Sequence, residues 1–271
     1  MTYRFLMCEP QYFDVNYVIN PWMSDNVHRV GRAQAQAQWA TFNGLIQDAA
    51  DVELIEPEPG LPDMPFTANA GLVVGDRVVL SNFRHPERQT EEPHFERWFH
   101  AHGFTVDRLP RALSFEGAGD ALLDRERSLI WMGYGHRSER EAGPCIQEML
   151  GLAVVMLELT DPRFYHLDTC FCPLPGGYVM YYPHAFSADS QALLQEAIEP
   201  ERTIAVSESD ALNFACNAVN IGDQIILNRA SEPLRVMLAR AGFRTVESPL
   251  SEFLRAGGAS KCLVLRLEEG L

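Results

Sequence analysis

The chain has 271 residues, is 46% hydrophobic and carries a formal charge of −15 at pH 7. This composition predicts a globular protein with a large core, and the negative charge argues against a nucleic-acid partner because phosphate binding needs a basic face. The charge is compatible with a small cationic substrate, although most of it is expected on a solvated surface.

The N-terminal sequence and the cysteines indicate the expected compartment. MTYRFLMCEP lacks a charged region followed by a long apolar stretch, and no segment approaches the length of a membrane span. Six cysteines are scattered without a CxxC pair or the framework of a small secreted domain, so most are expected to be reduced and buried. We therefore expect a cytoplasmic protein with no membrane partner.

The chain reads as a repeated unit of strand, strand, helix and strand. It begins with part of a unit: a strand YRFLMC, a helix over about 27 to 49 and a strand VELIEP. Four complete units follow, whose first strands are FTANAGLVV, SFEGAGDALLD, YHLDTCFCPL and FACNAVNI; in the second of them the helix is expected over roughly 138 to 150. Turn-forming residues, glycine in most units, separate the first two strands of each complete unit, and in most units a glycine follows the helix, as hairpins and helix C-caps require.

The last segment, GGASKCLVLRLEE, completes the unit that the N-terminus begins. If Cys262 to Leu267 pairs with Arg4 to Cys8, the ends of the chain close a ring and no sheet edge is left unpaired. A polar residue recurs in the first strands at Asn69, Glu116, His166, Asn217 and Cys262, at intervals of 45 to 51 residues. We therefore predict an α/β fold, a five-bladed α/β propeller of ββαβ repeats with pseudo-fivefold symmetry, formed by a single catalytic domain over residues 1–271.

The stretch FYHLDTCFCPL allows two functional interpretations. Read as a strand, it places His166, Asp168, Cys170 and Cys172 on one face. These residue types are zinc ligands, but His166 and Asp168 could equally be a catalytic base beside a substrate anchor, and His166 could be an ordinary core histidine.

The ring favours catalysis over metal binding. In the propeller Asn69, Glu116, His166, Asp168 and Cys262 converge, which brings together a nucleophile, a general acid/base and an orienting carboxylate. Cys170 and Cys172 lie farther along one strand and are poorly placed to share a metal with Cys262. We therefore predict no metal and no cofactor.

Four short segments carry a family resemblance, in order and at the repeat spacing. FTANA resembles the FTRD segment of the deiminases, FEGAGDAL resembles their acidic E-G-G-D strand, HLDT is nearly identical, and GGASKC resembles the approach to their nucleophilic cysteine. The chain thus resembles, over nearly its whole length, the guanidine-modifying or pentein superfamily, which includes arginine deiminase, dimethylarginine dimethylaminohydrolase and amidinotransferases. The resemblance implies a hydrolase of the C–N bonds of linear amidines.

The resemblance also implies roles for individual residues. Cys262 would attack the guanidinium carbon, His166 would protonate the departing amine and then activate water, and Glu116 would hold His166. Asp168 would accept two hydrogen bonds from the guanidinium. Further candidates for substrate contact are Arg137 in GYGHRSE, for the α-carboxylate; Arg88, which could instead be a surface arginine; and Asp120, which could instead be structural.

Asn69 and Asn20 point to one branch of the superfamily. Asn69 stands where deiminases carry an aspartate, and with Asn20 it resembles the arginine dihydrolases, which convert arginine through citrulline to ornithine with release of two ammonia and carbon dioxide. An amide can hold a neutral ureido group as well as a charged guanidinium. Both asparagines also have structural interpretations, as a turn starter and a backbone cap. The alternative function is an arginine deiminase or dimethylargininase that stops at citrulline; a homo-oligomer stays open.

Overall fold

The computed structural model describes residues 3–267, and within them the strands form five three-stranded sheets. The first sheet contains β1 (Arg4–Cys8), β2 (Asp51–Ile55) and β15 (Leu265–Arg266); the second β3 (Gly71–Val74), β4 (Arg77–Leu80) and β5 (Thr105–Arg108); the third β6 (Ala121–Asp124), β7 (Leu129–Tyr134) and β8 (Ala153–Glu158); the fourth β9 (Phe171–Pro173), β10 (Val179–Tyr181) and β11 (Thr203–Ala205); the fifth β12 (Val219–Ile221), β13 (Gln224–Leu227) and β14 (Arg244–Glu247). The fold is therefore mixed α/β.

Helices connect the second and third strands of each sheet. They are α1 (Arg32–Gln47), α2 (Pro86–Gln89) with α3 (Glu92–Ala101), α4 (Ala142–Leu150), α5 (Ala188–Ala197) and α7 (Glu232–Arg240), while α6 (Glu208–Leu212) and α8 (Ser251–Leu254) flank the fifth sheet. The predicted order of strand, strand, helix and strand is confirmed. None of the helices between residues 3 and 267 is long and apolar enough to cross a bilayer.

All five sheets share one pairing scheme. The first two strands are antiparallel and the second and third are parallel, as the crossover helix requires. The predicted pairing of the chain ends is confirmed over a short register, Phe5 with Arg266 and Leu6 with Leu265. Glu268 and Glu269, included in the predicted last strand, lie outside the described residues.

Local sequence explains where the elements begin and end. Gly75 opens the β3–β4 turn with φ of 61° and Gly151 ends α4 with φ of 68°, both in the left-handed region that glycine enters without strain. Ser187, Ser207 and Ser231 accept backbone N–H bonds at the starts of α5, α6 and α7.

The first strands are shorter than predicted. Thr67–Ala70, Gly117–Gly119 and Leu167–Thr169 form 3-10 turns immediately before β3, β6 and β9, and tight turns also precede β12 and β15. The prediction of one strand from Phe164 to Leu174 is therefore wrong, and so is the placement of Cys262 in a strand. The recurring polar residues lie in or next to turns, where successive side chains do not alternate between two faces as they do in a strand.

Candidate active site

The five turns bring their polar side chains together. Asn69 Nδ2 donates to Glu116 O at 3.3 Å, and Glu116 Oε2 lies 2.7 Å from His166 Nε2. On the other side Asn217 Nδ2 lies 3.1 Å from Cys262 Sγ. Residues 45 to 50 positions apart in sequence are thus in hydrogen-bond contact, and the bond from Asn217 Nδ2 to Asp168 O, two residues after His166, joins both groups into one buried cluster.

His166 and Glu116 form a buried pair with Arg137. Glu116 Oε2 also accepts from Arg137 Nη1 at 2.8 Å. Burial alone would raise the pKa of Glu116, but Arg137 and His166 outweigh it and hold this pKa below its usual range. Burial lowers the pKa of His166 to about 4, against the opposing effect of Glu116. The imidazole is therefore neutral at pH 7 and is oriented by an ionised carboxylate.

Cys262 lies in a turn that Asn217 organises. Asn217 Oδ1 accepts from the N–H groups of Ala259 and Cys262 at 3.1 and 3.2 Å, and its Nδ2 also donates to Asp168 O at 3.0 Å. The Cys262 thiol donates to Asp168 Oδ2 over 3.5 Å. One amide therefore fixes the position of the thiol relative to Asp168.

Burial dominates the electrostatics of this pair. It raises the pKa of Cys262, and the charge of Asp168 raises it further. Burial raises the pKa of Asp168 and the charge of Lys261 opposes this rise; the resulting pKa is about 7. Without a cation between them, the cysteine is a thiol.

A small cavity of about 10 Å³ lies beside Cys262. Its lining residues are Ile19, Asn20, Met23, Asp63, Phe66, Asn69, Arg88, Arg137, Tyr165, Ala256, Gly258 and Cys262. Four of the six sequence candidates for substrate contact, Asn20, Asn69, Arg88 and Arg137, thus line the same cavity as Cys262, whereas Asp120 and Asp168 are not among the lining residues.

Arg88 is buried and does not lie on the surface. Its Nε and Nη2 pair with both oxygens of Glu91 at 2.9 and 2.7 Å, and its Nη1 donates to Asn69 Oδ1 at 2.8 Å. The surface alternative considered from the sequence is therefore wrong. Because the Asn69 oxygen is held by Arg88 and its nitrogen by Glu116 O, the orientation of this amide is set on both sides.

Asn20 and Asp120 have structural partners. Asn20 Oδ1 accepts from the N–H groups of Trp22 and Met23, and its Nδ2 donates to Ala256 O at 3.0 Å. Asp120 accepts from Ser138 Oγ at 2.6 Å and from Leu167 N at 3.1 Å. Asn20 thus caps a turn while lining the cavity, and Asp120 connects the turns that carry Glu116 and His166.

Cys170 and Cys172 point away from this cluster. The Cys170 thiol donates toward Leu167 O and the Cys172 thiol toward Ala218 O. Throughout residues 3–267, no group of three or more histidine, cysteine, aspartate or glutamate side chains is arranged to hold a metal ion. The shared face of His166, Asp168, Cys170 and Cys172 that strand geometry predicted does not form, because the 3-10 turn rotates the cysteines away.

Two further polar residues of the candidate site were not predicted from the sequence to contact substrate. Asn217 appeared only as a member of the repeat, although its spacing marked it as equivalent to Asn69. Asp63 is buried, accepts from Tyr17 Oη at 2.9 Å through Oδ2, and its Oδ1 has no hydrogen-bond partner among the described residues. No local motif identifies Asp63, because its segment LPDMP reads as an ordinary loop.

Comparison with known proteins places this geometry in a family. The profile described as N,N dimethylarginine dimethylhydrolase, eukaryotic, matches residues 9–268. The bifunctional arginine dihydrolase/ornithine cyclodeaminase ArgZ of Synechocystis sp. is 56% identical over 98% of this chain, which spans 38% of that relative's length. The N(G),N(G)-dimethylarginine dimethylaminohydrolase of Mycobacterium tuberculosis is 42% identical over 98% of this chain and 86% of the relative.

Solved structures of the N-terminal domain of ArgZ superpose closely on the chain. A cysteine-to-serine variant bound to substrate has a TM-score of 0.98 at 56% identity and covers 99% of both chains. An asparagine-to-serine variant covalently bound to a reaction intermediate has the same TM-score and identity, and covers 99% of this chain and 98% of the other. The chain therefore belongs to the dimethylarginine dimethylaminohydrolase family of the guanidine-modifying, or pentein, superfamily.

Proposed function

We propose that this chain is a cysteine-dependent hydrolase that converts L-arginine to L-ornithine, releasing two ammonia and carbon dioxide. The observation that carries the proposal is the buried cluster of Cys262, Asp168 and the His166–Glu116 pair beside a cavity with an amide, Asn69, in its wall. This cluster has the groups that substitution at a guanidinium carbon requires: a nucleophile, an anion for the cation and a group that moves protons.

In the first step the Cys262 sulfur bonds to the guanidinium carbon. Asp168 holds the cation, and the positive charge of the substrate favours loss of the thiol proton. His166 is neutral before the reaction, so it can accept a proton and deliver it to the departing ammonia. Water then attacks the same carbon, and release of the sulfur yields citrulline.

The second cycle repeats this chemistry on the neutral ureido group. Cys262 displaces the second ammonia and forms a thiocarbamate; water releases a carbamate, which loses carbon dioxide to leave ornithine. Asn69 suits both stages, because an amide donates and accepts hydrogen bonds and does not demand a charged partner. A carboxylate at this position would favour the cation.

The other end of the substrate meets charged groups of the cavity wall. The buried Asp63 carboxylate, with one oxygen lacking a partner among residues 3–267, suits an α-ammonium group. Arg137 suits the α-carboxylate better than Arg88 because fewer of its N–H donors are used within residues 3–267. Arg137 makes two hydrogen bonds, to Glu116 and to Ile19 O, whereas Arg88 makes four. Asn20 would act by holding the turn that covers this end.

The relatives support these assignments. In the ArgZ domain, a cysteine is replaced in the structure bound to substrate and an asparagine in the structure bound to a reaction intermediate. These two residues are separated by the same number of positions as Asn69 and Cys262. ArgZ is described as an arginine dihydrolase. The whole relative is much longer than this chain, so only this part of its activity is proposed here.

We also propose that the five sheets are blades of a closed α/β propeller and that residues 1–271 form one catalytic domain. The common strand order of the sheets, the β1–β15 pairing and the meeting of all five turns support this arrangement. In such a ring the site lies where the turns before the first strands converge.

The test is to incubate the protein with saturating arginine and to count ammonia, citrulline and ornithine. We expect ornithine with about two ammonia per arginine, and citrulline itself should serve as a substrate. In Asn69→Asp the carboxylate should favour the charged substrate over the neutral intermediate, so the citrulline to ornithine ratio should rise at least about tenfold, or about 1.4 kcal/mol. Wild-type protein that stops at citrulline with one ammonia would contradict the dihydrolase assignment.

The second candidate is a dimethylarginine dimethylaminohydrolase or a deiminase, each of which yields citrulline. The match to the dimethylarginine family and the 42% identity to the mycobacterial enzyme favour it. Release of dimethylamine from dimethylarginine, with no reaction of arginine, would establish the first of these activities.

A further inference from the structure

Lys261 is the only lysine of the 271 residues; all other residues among the 22 basic ones are arginines. It directly precedes Cys262. Lysine and arginine are not interchangeable, because an ammonium is a compact point charge and a guanidinium is a broad planar fork. A single compact cation beside the proposed nucleophile therefore calls for an explanation specific to this site.

Lys261 and Cys262 face different cavities. Cys262 lines the small cavity of the active site, whereas Lys261 lines a second cavity of about 440 Å³ that shares no lining residue with the first. Lys261 Nζ donates to Ala118 O at 3.5 Å, in the turn between Glu116 and Asp120. Within residues 3–267, no carboxylate oxygen lies within 4.0 Å of this ammonium group. Its charge is thus not neutralised by an ion pair in that part of the chain.

Two of the three groups whose pKa Lys261 lowers belong to the proposed reaction. Lys261 lowers the pKa of Asp168 and of Cys262, and also that of Cys172. Because Lys261 lines the other cavity, its charge acts on these groups without occupying the volume where a substrate would bind.

The two stages of the proposed reaction differ in substrate charge. When arginine is bound, the guanidinium supplies a positive charge beside the Asp168 carboxylate and the developing Cys262 thiolate. When citrulline is bound, the ureido group is neutral, and two anions would be buried together without a substrate cation, which is costly at low dielectric. A cation fixed in the protein is then needed more in the second stage than in the first.

We propose that Lys261 is the positioning residue that makes the second hydrolysis possible, by holding a fixed positive charge behind Asp168 and Cys262 while the neutral ureido group occupies the site. The inference rests on the proposed dihydrolase function. Lys261 touches neither substrate nor reacting atom; it acts through the two anions. An arginine deiminase, which stops at citrulline, would have no need of such a residue.

The test compares Lys261→Gln, which can still donate to Ala118 O but is neutral, with Lys261→Arg, which keeps the charge. At saturating arginine we expect Lys261→Gln to raise the citrulline to ornithine ratio at least about tenfold, while release of the first ammonia falls only about threefold or less. Lys261→Arg should stay within about threefold of the wild-type ratio. Lys261→Met, of similar length, replaces the glutamine variant if that one does not fold.

A pH profile separates charge from packing. Loss of the lysine should raise the pKa of Asp168 further, so the acidic limb of kcat/KM for arginine should move to higher pH in Lys261→Gln and remain in place in Lys261→Arg. Asp168 also faces Cys262, and its charge acts on Asp120, Tyr165, Cys170 and Cys172, all of which are unchanged in both variants. A merely structural lysine would lower activity equally at every pH.

Two outcomes would overturn the inference. One is an unchanged product ratio in folded Lys261→Gln; the other is equal citrulline accumulation in the glutamine and arginine variants. Failure of the underlying function is distinct from both, because wild-type protein would then form no ornithine at all.

Discussion

Cys262 differs from the other buried cysteines in what surrounds its sulfur. The thiols of Cys170 and Cys172 point at backbone carbonyls, and burial is the largest cause of their raised pKa values, as it is for Cys262. The sulfur of Cys262 lies beside an amide donor and a carboxylate, and Cys262 lines the same small cavity as Asn69, Arg88 and Arg137. These surroundings make Cys262 the candidate nucleophile.

Replacement of Cys262 by serine should abolish turnover and preserve the fold. A serine hydroxyl is similar in size, and Asn217 can still donate to it, but its much higher pKa removes the nucleophile. Product formation from arginine should fall by at least about a thousandfold, while the thermal unfolding midpoint changes by only a few degrees. Steady-state assays and thermal melts provide the two measurements.

Cys170→Ser and Cys172→Ser are the matched controls. Both should keep substantial activity, and both should lose some stability because a buried hydroxyl is costlier than a thiol. Turnover retained in Cys262→Ser, or lost equally in the controls, would contradict the assignment.

At the scale of elements, the turns before the first strands carry the site, and their close approach depends on glycine. A Cβ built on Gly119 would lie 2.2 Å from Asn69 Nδ2 and 3.4 Å from two atoms of the His166 ring. The φ of Gly119 is not in the left-handed region, so the requirement is for space and not for backbone freedom.

We therefore expect Gly119→Ala to reduce activity at least about a hundredfold by displacing the Asn69 amide, with a cost in stability of about 1–3 kcal/mol. Gly44→Ala is the control: Gly44 lies within α1, a Cβ there meets nothing within 4 Å, and the change should stabilise the protein by about 0.5–1 kcal/mol. Kinetic assays and denaturant titrations measure both effects. Full activity in Gly119→Ala would show that Asn69 can move without consequence.

At the scale of the whole molecule, the candidate metal ligands are distributed so that each has another partner. His166 pairs with Glu116, Asp168 with Cys262, and Cys170 and Cys172 pack elsewhere. We expect activity to survive exhaustive dialysis against a chelator, and elemental analysis of the active protein to find no stoichiometric zinc. A bound metal whose removal stops turnover would restore the interpretation of HLDTCFC as a ligand set.

The repeated unit could be predicted from the sequence, because its signals are local. Hydrophobic periodicity distinguishes strands from helices, and Gly75, Gly151 and Gly222 mark positions where backbone sterics favour glycine. Helix bounds differ from the predictions by a few residues, as in α4, which begins at Ala142 instead of near residue 138. The repeat interval also identified Asn69, Glu116, His166, Asn217 and Cys262 as equivalent positions.

The backbone conformation of these residues could not be predicted from the sequence and became known only from the tertiary structure. Alternation along FYHLDTCFCPL predicted a strand, but the backbone forms a 3-10 turn because Leu167 N donates to Asp120 and Thr169 Oγ1 to His166 O. Short apolar and polar runs do not distinguish these conformations, since one of the two competing hydrogen bonds comes from Asp120, far away in sequence.

The sequence by itself determined the unit, its repetition and the residue types that meet: a thiol, an imidazole, carboxylates and an amide. Only the tertiary structure decided their partners, placing Arg137 on Glu116, burying Arg88 against Glu91 and Asn69, and bringing the loop residue Asp63 to the cavity. The physical reason is that periodicity and turn chemistry act between neighbours in the chain, whereas burial, ion pairing and the pKa values that follow from them depend on which distant turns come into contact.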